Sequence, residues 1–127
     1  MRVKHFNLAF GAQFFKALAE EARIRILYLL YKNKELTISD IELILEFTQT
    51  KTARHLTYLK NSGLVSTNKR DQWVFYYLKD EVYDILNLMF PYLHKDPVLM
   101  SDVEIFQTLD SNRELAINKI NQKKWRE

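Results

Sequence analysis

The stretch "TQTKTARHLTYLKNSGLV", residues 48–65, decides the fold. Thr48 has the side chain of a helix N-cap, and Gly63 suits a helix stop. Between them Ala53, Leu56 and Leu59 recur at helical spacing and make one apolar face, with Thr52 beside them. Thr50, Lys51, Arg54 and Tyr58 fall on the other side, with Thr57 near its edge. A helix that only had to pack would not need so many hydrogen-bonding heads. That set suits a surface that meets base edges and phosphates.

Downstream the period changes from helical to alternating. "LVSTNK" (64–69) and "WVFYYL" (73–78) are β-branched and aromatic, with "RDQ" between them, which predicts a hairpin. Lys69 and Arg70 fall at or beside its tip. Upstream, Phe6, Phe10, Phe14 and Leu18 form a stripe at helical spacing over residues 5–18. Gly11 sits inside it and is expected to mark a close helix contact. A second helix covers 20–31, and "KNK" ends it. Thr37 caps a third helix, with Ile41, Ile44 and Leu45 inward.

Residues 80–94 are apolar nearly all round, so this helix must be buried on more than one side. In a small domain that predicts a subunit interface, and Pro91 should end or kink the helix. After "HKDP", read as a link, Ser101 to Glu104 form a capping box. It opens a last amphipathic helix carrying Val103, Phe106, Leu109, Ala116 and Ile120 and ending in basic residues. Asp110 to Asn112 can interrupt that helix.

Bulk properties bound the rest. A chain of 127 residues with 47% apolar residues has room for one core. With only 2 Gly and 2 Pro, long helices fit better than a sandwich of many short strands. Net charge is +3, mildly basic and compatible with nucleic acid without being diagnostic. Its distribution says more. Between Thr48 and Lys79 the cations are Lys51, Arg54, Lys60, Lys69, Arg70 and Lys79, against Asp71 alone, whereas Glu35, Asp40, Glu42 and Glu46 make 35–46 acidic. The absence of cysteine excludes disulfides, thiolate metal sites and cysteine nucleophiles. The N-terminus lacks the features of a signal peptide, and no apolar run reaches membrane-spanning length, so a cytoplasmic location is expected. There is no Gly-rich phosphate loop, no Ser-His-Asp arrangement and no carboxylate pair with a cleft, so an enzyme is not expected.

The element order is four helices, a hairpin, then a helix: mainly α with a small β-hairpin. A polar helix followed by a basic-tipped hairpin reads as a winged helix-turn-helix, the second helix of the pair entering the major groove and the wing touching flanking backbone. "FKALAEEARIRILYLL", "ELTISDIELIL", "TKTARHLTYLKNSGLV" and "WVFYYL" in this order resemble the ArsR/SmtB (arsenic-repressor) family of homodimeric bacterial regulators, from about Phe15 to Leu78. The resemblance implies a homodimer on double-stranded DNA at an inverted repeat. It implies a DNA-binding and dimerisation domain over 1–96, followed by a C-terminal extension over 97–127. The expected DNA contacts are Thr48, Gln49, Thr50, Lys51, Arg54, His55, Lys60, Lys69 and Arg70. The expected dimer interface uses Phe6, Phe10, Phe14, Val82, Ile85, Leu86, Met89 and Leu93.

The departures from the family matter as well. Where its metal sensors often carry two cysteines, this chain has Thr37 and Ser39, and hydroxyls are not thiolates. At a second family metal site Asp80 and Asp96 could supply carboxylates, but Val82 and Leu93 occupy the imidazole positions. His94 is one residue off, about 100° around a helix. No metal and no cofactor is therefore expected, and no effector is named. Two other readings stay open: a repressor sensing a metal or small ligand at a site the family does not use, and a winged-helix module that docks a protein.

Overall fold

The computed structural model describes residues 6–111. Helix α1 spans Leu8–Ala17 and α2 spans Glu21–Lys32. The two-residue strand β1, Leu36–Thr37, leads into α3, Ile38–Leu45, and α4 covers Gln49–Asn61. Strands β2, Val65–Arg70, and β3, Trp73–Leu78, form the hairpin. Helix α5 covers Asp80–Met89, a 3-10 turn continues over Phe90–Leu93, and α6 covers Pro97–Ser111.

Local chemistry fixes the helix ends. Asn7, Thr37 and Thr48 each accept the backbone N–H three residues on, at 2.9, 3.2 and 3.1 Å. Between α3 and α4, Glu46 takes a left-handed φ of 58°, which makes the turn of the helix-turn-helix. Gly63, at φ +83°, ends α4, and the Phe10 ring lies 3.3 Å from where a side chain would start. Gly11 does mark a close contact, but with the ring of Phe6 rather than another helix.

The sheet has three strands in the order β1-β3-β2, all antiparallel. The short β1 was not expected. It pairs Leu36 with Tyr76 and Thr37 with Phe75, tying the start of α3 to the wing. Arg70 pairs with Trp73, so the hairpin turn is the two residues Asp71 and Gln72, with Asp71 at φ 56°.

The core lies between α2, α3, α4 and the sheet, sealed by α5 and α6. Phe14, Ile26, Leu29, Ile41, Ile44, Leu59, Leu64 and Leu86 are fully buried. Each contributes about 1.5–3 kcal/mol by leaving water, more than any helix-propensity difference in the chain.

Three expectations are corrected here. Phe14, Val82 and Leu86 lie inside the chain's own core and cannot face a partner. Phe6, Phe10, Ile85 and Met89 are half-buried, and of the expected interface residues only Leu93 counts as exposed. The sixth helix starts at Pro97, not Ser101: Asp96 Oδ1 accepts the N–H groups of Val98 and Leu99 at 2.9 and 3.1 Å, with Pro at the first helical position. Helix α6 packs on α2 and α3 through buried Leu99, Ile105 and Leu109, and its expected residues Ala116 and Ile120 lie outside the described residues. No helix among the described residues is long and apolar enough to cross a membrane.

His55 is the third correction. It sits on the buried side of α4, 4% exposed, with Nδ1 3.8 Å from Glu20 Oε2, and so does not reach the outer face. Burial, then the nearby Arg54 charge, push its imidazole below the ordinary value, against the opposing pull of Glu20. The folded state thus favours neutral His55. That stability is complete above the unfolded pKa, about 6.5, and is lost as pH falls through the lower folded value. Urea denaturation at pH 7.5 and pH 5.5 should show a smaller acid-induced loss for His55→Gln than for the unmodified chain. An equal loss in both would contradict it.

Candidate nucleic-acid interface

Helix α4 carries its two chemistries on opposite sides. Thr52, His55, Leu56 and Leu59 are buried. Gln49, Thr50, Lys51, Arg54, Thr57, Lys60 and Asn61 are exposed, and 50, 54, 57 and 61 follow the helical repeat along one stripe. Arg54 and Lys60 pair with no carboxylate among the described residues, so both charges face solvent.

The first turn of α4 contains no acidic residue. Thr48 closes it twice: its Oγ1 accepts the Lys51 N–H, and its carbonyl accepts the Thr52 hydroxyl at 2.8 Å. The remaining free N–H groups and the positive end of the helix dipole therefore point outward, which attracts phosphate. The Lys51 ammonium stands 4.1 Å from the centre of the Phe47 ring, on the turn before α4. Resting on a ring face steadies a side chain that would otherwise sweep through solvent.

The C-terminal half of α4 is clamped from behind. Arg23, buried on α2, donates through Nε to the Ala17 carbonyl at 2.8 Å and through Nη2 to that of Lys16 at 3.0 Å, satisfying the C-terminal end of α1. Its Nη1 pairs with Glu20, and its guanidinium stacks 4.2 Å from the centre of the Tyr58 ring. Gln13 Nε2 donates to the Tyr58 hydroxyl at 3.1 Å and to Ser62 Oγ at 2.7 Å. Tyr58, expected on the open side, is thus half-buried and belongs to the clamp.

On the wing the two expected cations differ. Lys69 is exposed and pairs with no carboxylate among the described residues. Arg70 pairs with Glu35 and lies 3.9 Å over the Phe75 ring, so its charge is largely matched within the chain. Trp73 and Val74, beside the turn, are exposed apolar residues that the expected list omitted.

Sequence reasoning missed Arg23, Arg25 and Gln13. The signal was present: two arginines interrupt the apolar run "ARIRILYLL", and a charge among core positions needs a partner. Among the described residues, no group of three or more His, Asp or Glu side chains is placed to hold a metal.

Comparison with known proteins fits this geometry. The profile described as "Bacterial regulatory protein, arsR family" matches residues 20–67, from the α2 cap into the wing. The chain is 34% identical over 88 residues to the cadmium resistance transcriptional regulatory protein CadC of Listeria innocua, 69% of this chain and 72% of that protein. It is 37% identical over 68 residues to the arsenic resistance transcriptional regulator ArsR1 of Pseudomonas putida, and there the match spans only 53% of the relative's length. It is 38% identical over 84 residues to the transcriptional activator HlyU of Vibrio cholerae, 65% of this chain and 77% of that protein. A solved HlyU structure from Vibrio cholerae superposes with a TM-score of 0.63 at 36% identity, covering 69% of this chain and 96% of that one. The chain therefore belongs to the ArsR family of bacterial regulatory proteins and is a winged helix-turn-helix transcriptional regulator.

Proposed function

We propose that the chain represses transcription in the cytoplasm by binding an inverted-repeat DNA operator as a homodimer, without any catalytic step and without a cysteine metal site. The observation that carries this reading is the exposed stripe of α4: Gln49, Thr50 and Arg54 beside Lys51 and Lys60, on a helix whose other side is locked into the core. Gln and Arg are the side chains that read adenine and guanine edges bidentately in a major groove. Lys51, Lys60 and Lys69 supply phosphate contacts, which set register and affinity. Thr48 adds a hydroxyl at the helix N-terminus, where a phosphate docks.

Support for the homodimer comes from an apolar surface that is exposed among the described residues. Leu18, Ile24, Leu88, Met89, Phe90, Tyr92 and Leu93 line a groove of about 500 Å³. Leu88 and Tyr92 are 65% and 90% exposed, which a monomer in water would pay for without return. Pairing two copies through α1 and α5 sets the two α4 helices about one DNA turn, roughly 34 Å, apart.

Binding to DNA from the chain's own upstream region, against scrambled DNA across a salt series, tests the reading. Arg54→Ala should cost roughly 1–3 kcal/mol and relax the choice of sequence. An equal loss on every sequence would make Arg54 a phosphate contact instead. Lys69→Ala should weaken binding on all sequences and lower the salt slope by about 1. Arg70→Ala should change that slope less, because Glu35 already matches its charge. A larger effect at Arg70 would show that the ion pair opens on DNA.

A further inference from the structure

The C-terminal helix has no part in the reading so far, yet it holds the most thoroughly buried charge among the described residues. Asp102 of α6 is 0% exposed. Both of its oxygens are taken by one residue of α2: Arg25 Nε donates to Oδ2 and Nη2 to Oδ1, each at 2.9 Å. This two-point fork fixes the plane of the guanidinium. Beyond it, Arg25 Cζ lies 5.2 Å from the centre of the Phe47 ring, and that ring also carries the Lys51 ammonium at 4.1 Å. One aromatic ring, in the turn that leads into α4, therefore receives a half-buried cation from α2 and an exposed cation from α4.

We propose that α6 is a brace for the recognition helix, with Asp102 and Arg25 as positioning residues that act through Phe47 on Lys51 and the first turn of α4. The proposal rests on the DNA-binding reading above. Its physical basis is geometric rather than energetic. A buried ion pair gains little over a well-packed apolar contact, because both charges lose water. What the fork does supply is a single orientation for the guanidinium, which an apolar contact would not. The apolar contacts of Leu99, Ile105 and Leu109 already seat α6 on the body. Arg25, Phe47 and Lys51 lie within the 20–67 family match, whereas Asp102 lies outside it, so the brace adds a residue from beyond the shared segment.

The test compares operator preference, measured as the ratio of affinities for upstream and scrambled DNA, in folded variants of the full chain. Asp102→Asn and Arg25→Lys should each lower that ratio about fivefold or more, the lower end of what coupling between sites carries. Phe47→Leu should do the same, and because it leaves the buried pair in place it carries the test if Asp102→Asn fails to fold. Combining Asp102→Asn with Phe47→Leu should lose little beyond either alone, since both cut one chain of contacts. Leu109→Ala, which loosens the α6 seat without touching that chain, should lower the melting temperature and keep the ratio. Unchanged ratios in Phe47→Leu and Asp102→Asn, or an equal loss in Leu109→Ala, would overturn the brace alone. No preference in the unmodified chain would overturn the regulator reading, and the brace with it.

Discussion

Two guanidinium groups, two residues apart on α2, hold α4 near its opposite ends. Arg23 reaches the C-terminal half, stacking on Tyr58 while it satisfies the last carbonyls of α1. Arg25 reaches the turn before the N-terminus, facing Phe47 while Asp102 of α6 grips its other side. Residues two apart on a helix point about 200° apart, so one turn of α2 serves two directions. Its hydrogen bonds to the Asp102 carboxylate raise the pKa of Arg25 above even its ordinary high value, against the burial that opposes it. Neither arginine faces solvent freely: removing Arg25 would leave the buried Asp102 carboxylate unmatched, and removing Arg23 would leave the Ala17 and Lys16 carbonyls without its hydrogen bonds. Under the proposed DNA-binding reading, this arrangement sets the angle at which α4 presents Gln49, Thr50 and Arg54.

The division of labour among the cations follows from their partners. Arg54, Lys60 and Lys69 have no counter-charge within the described part of the chain and carry their full charge outward. Lys51 rests on Phe47, and Arg70 is paired with Glu35 and stacked on Phe75. The acidic run before α4 is therefore partly a set of internal partners rather than a separate surface: Glu35 belongs to the wing, and the charge of Glu46 bears on Arg25.

Much of this was legible in the sequence, and the misses have physical causes. Helix α4, its Thr48 cap, its Gly63 stop and the wing all rest on local periods and turn chemistry, which a sequence carries openly. Strand β1 has two residues, too few for any period. The start of α6 was missed because Ser101 to Glu104 made a plausible capping box, while Asp96 followed by Pro97 was the stronger signal. Three of the expected dimer residues, Phe14, Val82 and Leu86, were misplaced for another reason. A helix apolar all round declares that it has two neighbours, but not which stripe faces which. Val82 and Leu86 went to the chain's own core, and Leu88 and Tyr92 were left outside. The pairing of Arg25 with Asp102 spans 77 residues, and nothing local announces it.

The account turns on two recognition helices held at a fixed separation. Hydroxyl-radical footprinting of the protein on its own upstream DNA measures that directly. It should give two protected stretches on one face of the duplex, their centres about one helical turn, roughly 34 Å, apart. A single protected stretch, or two with no constant spacing among different sites, would contradict it.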